Sequence, residues 1–222
     1  MSEEAPAPVG VTHRSLRDTI ADDLRERIIS GRFPPGQRLV ERDLAAEMQV
    51  SRIPLREAFL QLEAEGLVQV QRRRGVVVAS LSRKDVTNLF DVRESLESLA
   101  ARLAAERADE RAVQRLHAIL VEAKTATGNH DADGIARANA AFHAAIVDIA
   151  DNELLHSMMA PMNNRLRWLF RLTSATDPKF LCDAHTEIYE AIAARDPDRA
   201  ARIAFEHIAA TRLPTFVQLP ND

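Results

Sequence analysis

Residues 50–67 limit the possible folds of this chain more than any other segment. Leu55, Phe59 and Leu62 recur there at helical spacing, which predicts a short helix with one apolar face. Gly66 follows these residues, and glycine is the residue that most often ends a helix. The segment is therefore expected to be a short helix that packs its apolar face against neighbouring helices.

The polar residues at the start of this helix indicate a function. Ser51 is well suited to cap it, and Arg52 and Arg56 follow within the first turns. Positive charges at a helix N-terminus oppose the helix dipole, so these arginines do not stabilise the helix. A planar guanidinium group does match a phosphate or the edge of a guanine. We interpret the segment as the recognition helix of a DNA-binding domain.

The segments on either side complete a helix-turn-helix with a wing. We predict a helix over 15–30, a turn over 33–36, a second helix over 40–48, and strands over 67–70 and 76–79. The two strands are joined by residues 71–75, a basic tip that contains a glycine. Such a hairpin wing can lie along a phosphate backbone.

The sequence FPPGQRLVERDLAAEMQVSRIPLREAFLQLEAEGLV, followed by RRRGVVV, resembles the winged helix-turn-helix of the GntR family of bacterial transcriptional regulators. The resemblance covers about residues 14–80 and implies binding to double-stranded operator DNA. It implies that the residues in contact with DNA include Arg42, Arg52, Arg56 and Gly75. Ser51 at the start of the helix and Arg73 in the wing tip complete the predicted set. Some relatives have threonines where this chain has Ile53 and Pro54, so the operator sequence stays open.

The charge balance excludes binding by bulk positive charge. Residues 1–80 contain 12 arginines and 12 acidic residues, and residues 81–222 contain 17 basic and 21 acidic residues. Neither half is polybasic. DNA binding must therefore depend on a local patch of arginines, and we expect its affinity to fall steeply as the salt concentration rises.

Length and composition fit a soluble protein of two domains. The chain has 222 residues, 46% of them hydrophobic, and its longest apolar runs are far shorter than a membrane span. Residues 1–12 lack the features of a secretion signal and are predicted to be a disordered tail. The single cysteine, Cys182, excludes an intramolecular disulfide and argues against a thiolate metal site. We expect a cytoplasmic protein without a membrane partner, with domains at 13–80 and 81–222.

From residue 82 onward the sequence shows only helical signals. Ser82, Asp109 and Asn152 are expected to cap helices, and Asp-Pro pairs at 177–178 and 196–197 start two more. Pro161 is expected to kink or interrupt the helix in which it lies. The predicted fold class is mainly α, with an N-terminal winged helix-turn-helix followed by an all-α helical bundle of six or seven helices.

Three histidines in this bundle are predicted to point inward from different helices. His143 lies four residues after Asn139 on an apolar face, and His185 and His207 lie on the apolar stripes of later helices. One inward histidine is usually a hydrogen-bonded core residue, but three together favour a divalent metal ion. Zinc is expected, with nickel and manganese as alternatives. His117 also lies near an apolar face, which shows that such a position arises by chance.

The segments NAAFHAAI and AHTEIYEAIAARDPDRAARIAFEHI resemble the C-terminal effector domain of the FadR subgroup, called FCD. In members that bind a metal, the ligand positions correspond to Asn139, His143, His185 and His207. Many relatives have aspartate at the first of these positions, and the amide of Asn139 is the weaker ligand. FCD relatives sense small organic acids, so the resemblance implies a small carboxylate effector held at the metal.

Two arginines are predicted to bind this effector. Arg93 lies on an apolar stripe of the first bundle helix, where a buried guanidinium group needs an anion. An ion pair with Glu97, four residues later, is the alternative. Arg165, in the helix that follows Pro161, is the second candidate.

The combined pattern favours a ligand-responsive transcriptional regulator, expected to be a repressor that binds a palindromic operator as a homodimer. The sequence contains no His-Glu-x-x-His, Gly-x-Ser-x-Gly or glycine-rich phosphate motif, so we do not expect an enzyme. Two alternatives stay open. One is a constitutive DNA-binding dimer whose histidines are structural, and the other is a metal-dependent enzyme fused to a DNA-binding domain.

Overall fold

The computed structural model describes residues 15–71, 75–173 and 177–217. The chain divides into two compact units, one ending at Ala79 and the other beginning at Ser80. The predicted tail over residues 1–12 lies outside the described residues. No helix in the described ranges is long and apolar enough to cross a membrane.

The N-terminal unit consists of three helices and a small sheet within the described residues. In chain order these elements are α1 Leu16–Ile29, β1 Arg38–Leu39, α2 Glu41–Glu47, α3 Arg52–Ala64, β2 Val68–Gln71 and β3 Gly75–Val78. The strands are antiparallel in the order β1-β3-β2, and β2 and β3 form the predicted hairpin. The sequence does not predict the short strand β1, because two residues are too few to show the alternation of a strand.

The apolar faces of α1 and α3 form the core of this unit. Its buried side chains include Ile20, Leu24 and Ile28 from α1, and Leu55, Phe59 and Leu62 from α3. Arg25 of α1 and Glu65, the C-cap residue of α3, form a buried ion pair with contacts of 2.7 and 2.6 Å. Gly66 then takes a positive φ of 73°, which ends the helix as predicted. These contacts hold α3 along its length and leave its N-terminal end exposed.

The C-terminal unit consists of six helices within the described ranges, which confirms the predicted bundle. They are α4 Arg83–Arg107, α5 Glu110–Gly128, α6 Ala132–Ile149, α7 Glu153–Thr173, α8 Pro178–Ala193 and α9 Pro197–Val217. Side chains cap these helices at predicted positions. Ser82 and Asp85 form a capping box on α4, and Asp109 and Asp177 accept hydrogen bonds from the first turns of α5 and α8.

Pro161 was predicted to kink or interrupt its helix, and it lies inside α7, which continues through it without an interruption. A proline in a helix interior removes a backbone hydrogen bond and costs about 3 kcal/mol or more. The same helix buries the apolar side chains of Leu155, Met159, Leu166 and Leu169. Burial of a large apolar side chain stabilises by about 1.5–3 kcal/mol, so packing of α7 offsets the local cost of the proline.

Helix α4 is the central element of the bundle and packs against α6, α7, α8 and α9. Ala100, Ala101 and Ala104 along its length are buried, and such small side chains let neighbouring helices approach closely. Before these alanines, α4 brings two charged side chains, Arg93 and Glu97, into the interior. Buried charges need partners, so the surroundings of these two side chains are a candidate functional site.

Candidate metal centre and nucleic-acid interface

His143 on α6, His185 on α8 and His207 on α9 meet inside the C-terminal unit. One ring nitrogen from each lies within 4.8 Å of those from the other two. The Nε2 atoms of His185 and His207 are 3.2 Å apart. Two nitrogen ligands of a tetrahedral zinc ion, with Zn–N distances of about 2.0–2.1 Å, are separated by about 3.3 Å. The cluster therefore has the ligand type and the spacing of a metal centre.

Burial keeps two of these histidines neutral. Burial, reinforced by the neighbouring His143, lowers the pKa of His185 well below its ordinary value and lowers the pKa of His207 to about 3. The neutral imidazole is the form that binds metals. The Nδ1 atom of His207 is buried and has no hydrogen-bond partner in the described part of the chain. A buried polar atom without a partner is rare, which supports a site that binds a further group.

Aromatic packing fixes the orientation of the imidazole rings. The ring of Phe142 stacks on His185 with a centroid distance of 4.2 Å. The rings of His143 and His207 are nearly parallel, with centroids 5.5 Å apart. Rings held in this way need little reorganisation when they bind a ligand.

A buried ion pair adjoins the histidine cluster. Arg93 is 1% exposed, and its Nε atom lies 2.6 Å from one carboxylate oxygen of Glu97. The other oxygen of Glu97 lies 2.6 Å from Nδ1 of His143. The Arg93 guanidinium also lies over the rings of Phe90 and Phe170, and its Nη1 atom is buried with no partner among the described residues. The sequence suggests the Arg93–Glu97 pair but gives no signal for the contact between Glu97 and His143.

A cavity of about 260 Å³ lies beside the histidines. Its lining residues are Arg93, Ala132, Ile135, Ala136, Asn139, His143, Phe170, Arg171, Pro178, Leu181, His207 and Thr211. Four predicted site residues, namely Arg93, Asn139, His143 and His207, therefore line one cavity. His185 joins the cluster through His207 and is not a lining residue.

Of the two arginines predicted to bind an effector, Arg93 lines the cavity and Arg165 does not. The Arg165 guanidinium lies 3.6 Å from the carboxylate of Asp85, at the start of α4. Arg171, further along α7, lines the cavity and pairs with Asp133 at 3.0 Å. From the sequence, Arg171 is one of three arginines after Pro161 that could reach the cavity, and it was not the one selected, because a proline earlier in the helix makes the helical phase of later residues uncertain.

The predicted DNA-binding arginines lie on exposed parts of α2 and α3. The side chain of Arg42 is 80% exposed, and Arg52 is exposed as well. Arg56 is also exposed, and its Nε atom lies 2.9 Å from a carboxylate oxygen of Glu41. Exposed ion pairs of this kind are weak, so Arg56 can exchange the carboxylate for a phosphate.

The remaining predicted DNA-binding residues lie at the start of α3 and in the wing. Ser51 is the N-cap residue of α3, but its side chain makes no capping hydrogen bond. Gly75 begins β3 with a positive φ of 75°, a conformation that favours glycine. Arg73 lies outside the described residues. Ile53, which is 70% exposed, and Arg38, exposed on β1, are further candidates that sequence reasoning did not select.

Models of two protein families match the chain. The model described as bacterial regulatory proteins, gntR family, matches residues 16–78. The model described as FCD domain matches residues 88–210. Each match falls within one of the two compact units.

Individual proteins are similar along most of the chain. The HTH-type transcriptional regulator YdhC of Bacillus subtilis (strain 168) is 31% identical over 189 residues, which cover 84% of each protein. The HTH-type transcriptional repressor RspR of Escherichia coli (strain K12) is 29% identical over 188 residues, covering 83% of this chain and 82% of RspR. The solved structure of E. coli McbR/YncC matches 93% of this chain and 99% of its own, with a TM-score of 0.80 and 22% identity, and shows a shared fold.

Proposed function

Because the chain belongs to the GntR family of bacterial regulatory proteins and contains an FCD domain, we propose that it is a repressor that senses a small carboxylate through a bound metal ion. Its family and its relatives are DNA-binding transcriptional regulators, so the chain is a regulator and not an enzyme. The FCD domain favours the FadR subgroup, and the protein acts in the cytoplasm. The observation that carries the proposal is the cluster of three histidines beside a cavity lined by a buried arginine.

His143, His185 and His207 are the proposed metal ligands, and Asn139 is a fourth, weaker one. The neutral state of two rings and the 3.2 Å separation of two nitrogens support this assignment. Three imidazoles suit zinc, with nickel and manganese as alternatives. When bound, the metal supplies an open coordination position for a carboxylate oxygen.

Arg93 is the proposed anchor for the effector. Its Nη1 atom is buried and lacks a partner among the described residues, so a carboxylate in the cavity would satisfy it. Arg171 lines the same cavity and adds a second positive charge, whereas Arg165 lies beside Asp85 and receives no effector contact in this proposal. The cavity of about 260 Å³ is smaller than most ligand pockets, which favours a small acid.

Operator binding is assigned to a local surface of the N-terminal unit. Its proposed residues are Arg42, Ser51, Arg52, Arg56, Arg73 and Gly75. A homodimer presents this surface twice to a palindromic operator, which doubles the number of specific contacts. Effector binding then changes the spacing of the two recognition helices, and a coupling free energy of about 1–3 kcal/mol would change operator affinity by about 5- to 150-fold.

Thermal unfolding of the purified protein tests the proposal, with a panel of small carboxylic acids and with or without a chelator. An acid at about 100 times its dissociation constant adds about 2.7 kcal/mol to the free energy of unfolding, a shift that is easily measured. We expect at least one acid to raise the melting temperature, and the chelator to abolish that rise. Combined replacement of His185 and His207 by alanine should abolish it as well.

The matched control is His156→Ala, because His156 is an exposed histidine on α7, 3.5 Å from Asp148. This variant should retain the full response. If no acid and no chelator changes the melting temperature of the wild type, the metal-sensing proposal is wrong. The protein would then be a constitutive DNA-binding regulator whose histidines are structural.

A further inference from the structure

Glu97 contacts the histidine cluster with one oxygen and a buried cation with the other. Glu97 is 5% exposed and lies on α4, whereas His143 lies on α6. The Oε2 atom is 2.6 Å from His143 Nδ1, and the Oε1 atom is 2.6 Å from Arg93 Nε. Both oxygens therefore have short, charge-assisted partners, which is the geometry of a side chain held in one position.

We propose that Glu97 is a positioning residue of the metal centre, which orients His143 and leaves its Nε2 atom available to the metal. The inference rests on the proposed metal-binding function. It assigns Glu97 a role beyond that of counter-ion to Arg93. The carboxylate does not itself bind the metal in this proposal.

The contact with Glu97 defines the tautomer of His143. A carboxylate paired with a guanidinium is a hydrogen-bond acceptor, and the Oε2 atom of Glu97 lies 2.6 Å from Nδ1 of His143, so His143 donates from Nδ1–H. In a neutral imidazole that donates from Nδ1, the lone pair is on Nε2. One ring nitrogen of His143 is thus committed to Glu97 and the other is free to bind the metal.

The other two histidines lack this support. In the described ranges neither His185 nor His207 has a carboxylate within ion-pair distance, and His207 Nδ1 has no partner. Asn139, the fourth proposed ligand, is neutral. Among the described residues, Glu97 is therefore the carboxylate that contacts the cluster, and the contact is with His143. A carboxylate behind a ligating histidine fixes the ring and raises its basicity, and loss of such a partner typically weakens metal binding by about 10- to 100-fold.

The test compares Glu97→Gln with Glu94→Gln in the full chain. The first substitution keeps the shape of the side chain and an acceptor oxygen but removes the charge. Glu94 is a matched control because it lies on the same helix, is partly buried and pairs with Arg212 at 3.2 Å instead of with a histidine of the cluster. Dissociation constants for Zn²⁺ alone, measured by competition with a chelator, should rise about 10- to 100-fold for Glu97→Gln. They should not change for Glu94→Gln.

Nitrogen-15 NMR of the histidine rings supplies a readout that a structural role would not move. In the metal-free wild type, His143 should be the tautomer protonated at Nδ1, and in Glu97→Gln this preference should weaken. If wild-type His143 carries its proton on Nε2, the inference is wrong, whatever the variants do. This measurement remains decisive if Glu97→Gln fails to fold.

Glu97→Asp is the second variant, since it keeps the charge next to Arg93 but withdraws the carboxylate from His143 by one methylene group. It should fold and should bind Zn²⁺ more weakly than the wild type. If Glu97→Gln and Glu97→Asp both fold and bind Zn²⁺ as tightly as the wild type, Glu97 is only a counter-ion of Arg93 and the inference is wrong. If the wild type itself binds no Zn²⁺, the proposed function fails, and the NMR result still reports whether Glu97 orients His143.

Discussion

Arg52 and Arg56 occupy positions where they do not stabilise their own helix. Both are exposed near the N-terminus of α3, and positive charge there opposes the helix dipole. The interior of the other unit contains comparable residues. Arg93 is buried with a nitrogen, Nη1, that has no partner within the described part of the chain, and His207 is buried and neutral. Side chains that cost stability where they lie are the ones for which binding is the simplest explanation.

Replacement of Arg52 by alanine should weaken binding to a specific duplex by about 1–3 kcal/mol, because a guanidinium that pairs with a base edge contributes that much to discrimination. A duplex selected from a random library by the wild-type protein is the probe, and fluorescence anisotropy measures the affinity. Arg115→Ala is the matched control, since it removes one exposed positive charge from the C-terminal unit. Equal losses in the two variants would indicate that bulk charge, and not a local contact, determines binding.

Among the elements, α4 connects the fold to the site. Its capping box starts the helix at Arg83. Arg93 and Glu97, which are four residues apart in the sequence, then lie on the same buried face of the helix. Residues four apart in a helix are neighbours, so the ion pair follows from the sequence once the helix is known. A displacement of α4 would move both charges relative to His143. The stability of α4 therefore affects the geometry of the histidine cluster.

Ser82→Ala should lower the free energy of unfolding by about 0.5–2 kcal/mol, because it removes the side chain that caps α4. The Ser82 hydroxyl accepts a hydrogen bond from the Asp85 backbone at 3.2 Å, and the Asp85 carboxylate accepts one from the Ser82 backbone at 3.0 Å. Urea unfolding followed by circular dichroism measures the change. Ser95→Ala, on the exposed face of the same helix, should be neutral or slightly stabilising. Equal losses for both variants would show that the cap is unimportant.

For the whole molecule, the proposed homodimer requires an apolar surface on the C-terminal unit. Leu154 and Met158 lie one turn apart on α7 and are 70% and 50% exposed. Neighbouring exposed apolar residues on one helix face are typical of a surface that another molecule covers. We expect this face of α7 to contribute to the contact between two copies of the chain.

Light scattering should give the wild-type protein a mass of twice 24.7 kDa. The double variant Leu154→Glu with Met158→Glu should dissociate, because carboxylates in an apolar interface lose their hydration without gaining a partner. Leu60→Glu is the control, since Leu60 is also strongly exposed but lies on α3 of the N-terminal unit. A double variant that remains a dimer would exclude this face of α7 from the interface.

The sequence alone determined the parts of this protein that depend on neighbours along the chain. Helical periodicity predicted α1 and α3, and capping residues predicted the starts of α4, α5 and α8. The position of Arg52 and Arg56 near the start of α3 was also predicted from local pattern, because the residues that begin a helix lie within a few positions of each other. Local signals failed for β1, which is too short to show a period. They predicted a kink or an interruption at Pro161 without deciding between them, and packing of α7 keeps the helix continuous there.

Only the tertiary structure decided which side chains meet. Periodicity shows that a histidine lies on the apolar face of its helix. It does not show which helix faces pack together, or how deeply each histidine is buried between them. The convergence of three histidines from α6, α8 and α9 within 4.8 Å depends on that packing, as does the 2.6 Å contact between Glu97 and His143. The same reason explains why Arg171, and not Arg165, lines the cavity. Elements follow from interactions along the chain, whereas this site follows from long-range packing between them.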